Sequence, residues 1–224
     1  MRRAVSKVAL KRSRCVGAAR RLRSPLRSAL QSFMRFTTVL IAIVALLSRV
    51  AGTASETDPW SVAEQAIVRV PENSFPNLPE RVRHVLRELR CLVPQPGDRV
   101  AAREPPVNAI SGQFARAGQI DWAILCSSGG RSSIYVVWGG PATCSAPLAT
   151  AADRDYLQGR GDQRIDFSRE IIVAGPKQIM ATYRYYDEVP PRVSHDAIED
   201  IFVDKASVRY HCDAGAWRKL LGAD

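Results

Sequence analysis

Hydrophobic positions along this chain recur at two different periods. From Leu78 onward, the run Pro79-Glu80-Arg81-Val82-Arg83-His84-Val85-Leu86-Arg87-Glu88-Leu89 puts Val82, Val85, Leu86 and Leu89 on one face at helical spacing, and Pro79 suits a first turn. Ser61–Val70 shows the same period at Val62, Ala66, Ile67 and Val70, until Pro71 and Pro76 interrupt it. The pattern then changes to short apolar or alternating runs at Asn108–Arg116, Asp121–Ser127 and Ser132–Trp138. Glycine-bearing turns at Ala117-Gly118 and Ser128-Gly129-Gly130-Arg131 join them, which predicts an antiparallel meander. One face of that meander is expected to carry Ile110, Gly112 and Phe114 with Trp122, Ile124 and Cys126, completed by Ile134, Val136 and Trp138. Pro147–Leu157 and Pro176–Tyr186 each open on a proline suited to a first turn and are expected as helices, with a strand at Arg164–Val173 between them. Ile198–Val203, Ser207–Cys212 and Ala216–Leu221 read as closing strands, with Asp213-Ala214-Gly215 marking a turn. No period of repeat length recurs, so a solenoid is excluded. The expected class is α+β: an antiparallel sheet, built as a meander plus a C-terminal hairpin, packed by N-terminal and inserted helices.

Charge changes the picture less than its total suggests. The 224 residues hold 32 Lys and Arg against 22 Asp and Glu, a formal net charge of +10. Twelve of the basic residues and none of the acidic ones fall in Met1–Ala54, leaving 20 basic against 22 acidic from Ser55 onward. A weakly acidic body has no electrostatic footprint for phosphate backbones, so nucleic acid is not an expected partner. The basic leader contains the apolar run Phe36–Ser48 followed by small residues, with Gly52 and Ala54 at suitable positions for signal-peptidase cleavage. The run is shorter than the roughly 20 residues that span a bilayer core, so contact with a membrane is expected only through this segment and before cleavage near Ala54. Met34-Arg35 directly before the run offers an internal start as the alternative to translation from Met1. The chain therefore divides into residues 1–54 as extension and signal peptide, 55–77 as a polar entry segment and 78–224 as a single domain, delivered to the periplasm or outside the cell.

Four cysteines remain after the leader: Cys91, Cys126, Cys144 and Cys212. An even count in an oxidising compartment reads as two disulfides, and three connectivities are open from sequence. Cys91–Cys126 with Cys144–Cys212 is the favoured pairing, each tying a segment entrance to a strand end. The absence of any C-x-x-C clamp speaks against zinc.

The segment Gly112-Gln113-Phe114-Ala115-Arg116-Ala117-Gly118-Gln119-Ile120-Asp121-Trp122-Ala123-Ile124-Leu125 resembles a single degenerate FG-GAP repeat, the calcium-loop hairpin of integrin-type propellers, at Phe114, Gly118 and Asp121. Ala115, Arg116 and Ala117 stand where that family places oxygen ligands, so the donors for a hard cation are missing. A broader stretch is similar to uncharacterised exported bacterial proteins. It runs from the G-x-F and DWAxLCS block of Gly112–Ser127 through His195-Asp196-Ala197-Ile198-Glu199-Asp200 to Cys212 and Trp217. That resemblance implies no particular activity.

Candidate chemistry is sparse. His195, Asp196, Glu199 and Asp200 form the densest polar cluster, and a helical Ser194–Asp200 would put His195 and Glu199 on one face. Tyr183, Tyr185 and Tyr186 beside Arg184 supply apolar area with hydrogen-bonding tips, suited to a glycan or a protein partner. No catalytic motif, metal set or cofactor is expected. The functional expectation is a non-catalytic binding or accessory module of the cell envelope, its partner an envelope protein or a glycan. The alternative is a small hydrolase using His195 with Asp196 or Glu199.

Overall fold

The computed structural model describes residues 58–222 except 142, 143, 162, 190 and 191. The expected signal peptide, its expected cleavage near Ala54 and the alternative start at Met34 fall outside the described residues. The described chain is α+β and mostly antiparallel sheet. Its elements are α1 (Pro59–Ala66), β1 (Arg69–Val70), α2 (Glu80–Glu88), β2 (Val93–Pro94), α3 (Gly97–Ala101), β3 (Ala109–Gly112), β4 (Asp121–Ser128), β5 (Arg131–Val137), β6 (Leu148–Ala152), β7 (Leu157–Gly159), β8 (Ile165–Phe167), β9 (Arg169–Ala174), α4 (Pro176–Tyr185), β10 (Ala197–Phe202), β11 (Ala206–Asp213) and β12 (Ala216–Leu221). Among the described residues no helix is long and apolar enough to cross a membrane.

Two four-stranded sheets form the body, a front sheet in the order β3-β4-β5-β6 and a back sheet in the order β12-β11-β10-β9; the pairs β1-β2 and β7-β8 are separate. The meander and the C-terminal hairpin thus belong to different sheets rather than one. Their facing sides share a core in which Phe114, Leu125, Ile134 and Leu148 of the front half meet Ile171 and Ile198 of the back. The outer face of the front sheet is covered by α2, whose buried Val82 and Leu86 pack on Ile124 and Cys126. The outer face of the back sheet is covered by α4, whose Ile179 and Tyr183 pack on Ala174, Ala197 and Leu220. Burying both faces of both sheets explains why the strands read as apolar runs rather than clean alternations.

The hairpin turns set the register. Gly129 and Gly130 both have positive φ, as do Ala214 and Gly215, so each two-residue turn matches the twist of its strands. The first turn pairs Ile124 with Tyr135 and Ala123 with Val136. Residues of opposite parity therefore share a face across β4 and β5, which corrects the expected single face. Ile110, Phe114, Ile134, Val136 and Trp138 turn inward, whereas Trp122, Ile124 and Cys126 turn toward α2.

Three further expectations are corrected. Pro147–Leu157 is not a helix: Leu148–Ala152 forms the outer strand of the front sheet, followed by a 3-10 turn at Asp153–Tyr156. A first-turn proline is only a local signal, and pairing with β5, including the Ser133–Thr150 side-chain bond of 2.7 Å, prevails. Arg164–Val173 divides at Ser168, whose N–H donates to the Tyr156 carbonyl, into strands of two different sheets. The stretch 55–77 is no separate entry where it is described. Its helix stops at Ala66, Arg69–Val70 pairs with β2, and Ile67, Phe75 and Leu78 lie in the cores.

Disulfides join Cys91 to Cys126 and Cys144 to Cys212. The first fastens the end of α2 to β4, and the second fastens the loop before β6 to β11, bridging the two sheets. Two such bonds in a chain of this size fit an oxidising compartment.

Candidate functional site

The polar cluster of β10 does not converge. Ala197–Phe202 is a strand held between β9 and β11, so consecutive side chains leave on opposite faces and the helical pairing of His195 with Glu199 is replaced. His195 sits just before the strand, where its Nε2 donates to the Cys212 carbonyl at 2.7 Å and its ring stacks on His211 at 4.5 Å. Asp196 accepts the Gln113 N–H at 2.9 Å and ties the end of β3 to the start of β10. Glu199 turns to the α4 side and accepts from Ser207 Oγ at 2.6 Å and Arg209 Nε at 3.0 Å. Asp200 turns between the sheets, where both its oxygens accept from Arg169 at 2.8 Å. Each of the four side chains has its own structural partner, and no acid–base pair with a shared reacting centre exists among them.

The neighbouring His211 is fully buried, with neither ring nitrogen hydrogen-bonded. Burial, with His195 stacked alongside, pushes its imidazole down to about 4. The Asp121 carboxylate of the resembling loop is likewise occupied, accepting from the Ala115 N–H at 2.9 Å and from Gln119 Nε2 and the Gly139 N–H at 2.7 Å. Among the described residues, no group of three or more His, Cys, Asp and Glu is placed to hold a metal ion.

What the fold does bring together is the end of α4 and the outer side of β11–β12. Tyr183 is buried against the back sheet and anchors the helix, but Tyr185 is 81% exposed and Tyr186 43% exposed. The last two rings meet edge to face at 5.0 Å and 89°. Together with Thr182, Arg209, Leu221 and Gly222 they line an open cleft of about 410 Å³. Arg209 is the polar centre of this cleft. Glu199 holds its Nε, the Thr182 hydroxyl accepts from its Nη1, and its Nη2 has no protein partner among the described residues. Gly222 is required on the far wall, because a Cβ there would lie 1.8 Å from Ser207 Oγ.

Three residues anticipated from sequence, Tyr185, Tyr186 and, through its bond to Arg209, Glu199, thus belong to one site, while His195, Asp196 and Asp200 lie elsewhere. Arg209 and Leu221 were missed. The β10–β11 register sets Glu199 directly opposite Arg209 as a cross-strand charge pair, a pairing that only the folded strands define. The cleft offers a fixed guanidinium donor and two rings, and the Glu199 carboxylate beside it serves to hold that guanidinium. That inventory suits recognition rather than bond-making.

No family model, curated protein or solved structure matches the chain.

Proposed function

We propose that the chain is an exported, non-catalytic binding module of the cell envelope that docks an envelope protein through the cleft at the end of α4. The observation that carries this reading is the exposed Tyr185–Tyr186 corner set beside an Arg209 already held by Glu199 and Thr182. Tyrosine and arginine are the residue types most enriched at protein–protein hot spots, and a guanidinium fixed before contact loses less rotamer freedom on binding. Export is supported by the two disulfides together with the apolar run Phe36–Ser48 and the small residues ending at Ala54.

The test compares wild type with Tyr185→Ser and Tyr186→Ser, each confirmed to melt at the wild-type temperature, as immobilised baits for solubilised envelope proteins. The reading requires one discrete protein that wild type retains and both variants release. Equal retention by all three would reject it.

A further inference from the structure

A second cleft, of about 340 Å³, opens where β6 and the Asp153–Tyr156 turn face β10–β12. We propose that it binds a single pyranose ring. Alternation along β10 and β11 puts this cleft on the opposite face of the back sheet from the tyrosine–arginine site, so the two proposals stand or fall separately.

Tyr156, Phe202 and Tyr210 wall the cleft, Asp200 lies within it, and Lys219 and Asp155 also line it. Its volume is at the small end of ligand pockets, a size for one ring. Arg169 is fully buried behind Asp200, with its remaining donors on Ser132 and on the Ala149 carbonyl. The Tyr156 ring lies 4.4 Å from its guanidinium carbon. Arg169 is therefore a positioning residue: it fixes the Asp200 carboxylate, and each oxygen keeps lone-pair capacity for a further donor.

Neither the Tyr156 nor the Tyr210 hydroxyl has a protein partner among the described residues. Burial, helped by the nearby Asp200 carboxylate, pushes the Tyr156 phenol up to about 12 and shifts Tyr210 in the same direction. Both remain neutral O–H groups at physiological pH. The cleft thus presents a carboxylate that wants donors, two phenols that both donate and accept, and aromatic walls.

A pyranose meets all three with its hydroxyl donors, its ring and hydroxyl acceptors, and its C–H faces. An apolar ring would leave the two phenols desolvated without partners and offer the carboxylate no further donor. An anion would meet Lys219, but it would also face the carboxylates of Asp200 and Asp155 and offer no donor to either.

The experiment titrates the disulfide-bonded protein with methyl glycosides of glucose, galactose, mannose and N-acetylglucosamine, followed by amide chemical shifts. Maltotetraose and chitotetraose distinguish a chain from a lone ring, and cyclohexylmethanol is the apolar control. At least one pyranoside should saturably shift the amides of Tyr156, Phe202 and Tyr210, while cyclohexylmethanol does not. Tighter binding of an oligosaccharide would identify a glycan chain as the source, and equal binding a single ring. Tyr210→Phe removes one hydroxyl and should weaken binding about tenfold, roughly 1.4 kcal/mol, at an unchanged melting temperature. The proposal is overturned if no sugar moves these amides at tens of millimolar, or if Tyr210→Phe binds as wild type does.

Discussion

Asn108 inserts its side-chain amide into the backbone of the neighbouring sheet at Arg169. Its Nδ2 donates to the Arg169 carbonyl at 3.1 Å and its Oδ1 accepts the Ile171 N–H at 2.9 Å, so a side chain substitutes for a strand between β3 and β9. A second Nδ2 bond of 2.7 Å goes to the Pro94 carbonyl. Asn108 is fully buried with a φ of 72°, a conformation that asparagine tolerates better than most residues. Asn108→Ala strands these backbone groups without solvent. It should lower unfolding stability by about 2–4 kcal/mol, read from urea denaturation with an unchanged m-value.

The Arg169–Asp200 pair calls for a different test, because removing one partner leaves the other charge buried. Arg169→Met alone should cost about 3–5 kcal/mol, whereas Arg169→Met combined with Asp200→Leu should recover much of that loss. A double-mutant cycle measures the difference; additive single effects would mean that the two side chains do not depend on each other.

Acid should act through His211. Its folded-state ionisation, near 4, lies below the ordinary 6.5, so between those values the unfolded chain binds the extra proton. Its contribution is complete above pH 6.5 and fades as pH falls toward 4, at up to about 1.4 kcal/mol per pH unit. Urea midpoints at pH 7 and pH 5 should therefore separate for wild type and lie closer together for His211→Leu. Equal separation in both proteins would assign the acid sensitivity elsewhere.

The disulfides should contribute unequally. Cys91–Cys126 spans 35 residues and Cys144–Cys212 spans 68, so chain-entropy arguments give the second the larger share, each worth about 2–4 kcal/mol. Paired Cys→Ser replacements compared by thermal melting test this order. Intact mass before and after reduction, with thiol alkylation, should show Cys91, Cys126, Cys144 and Cys212 protected until reduction.

Much of the architecture was legible because local signals coincided. The Gly129-Gly130 turn and the proline-opened α4 both stand where sequence places them, and the last hairpin turns at Ala214-Gly215 as expected. Face assignment failed because parity depends on turn length, which a run of apolar residues on both faces conceals. Leu148–Ala152 failed because a proline suited to a first turn carries little weight against an available sheet edge. The site was legible only in fragments. Glu199 and Tyr186 are visible as residues, but their meeting depends on Arg209 lying across a register that only the folded strands define. His195 and Asp196 stood out by density, yet density along a strand distributes side chains to opposite faces.

The most direct measurement of the docking claim is in-cell photo-cross-linking from a benzophenone amino acid placed at Tyr185, with the same probe at exposed Arg103 as control. The account predicts one envelope-protein adduct from position 185 that disappears when Tyr186→Ser is added and never forms from position 103. No adduct at position 185, an adduct at twice the chain mass alone, or the same adduct from both positions would contradict it.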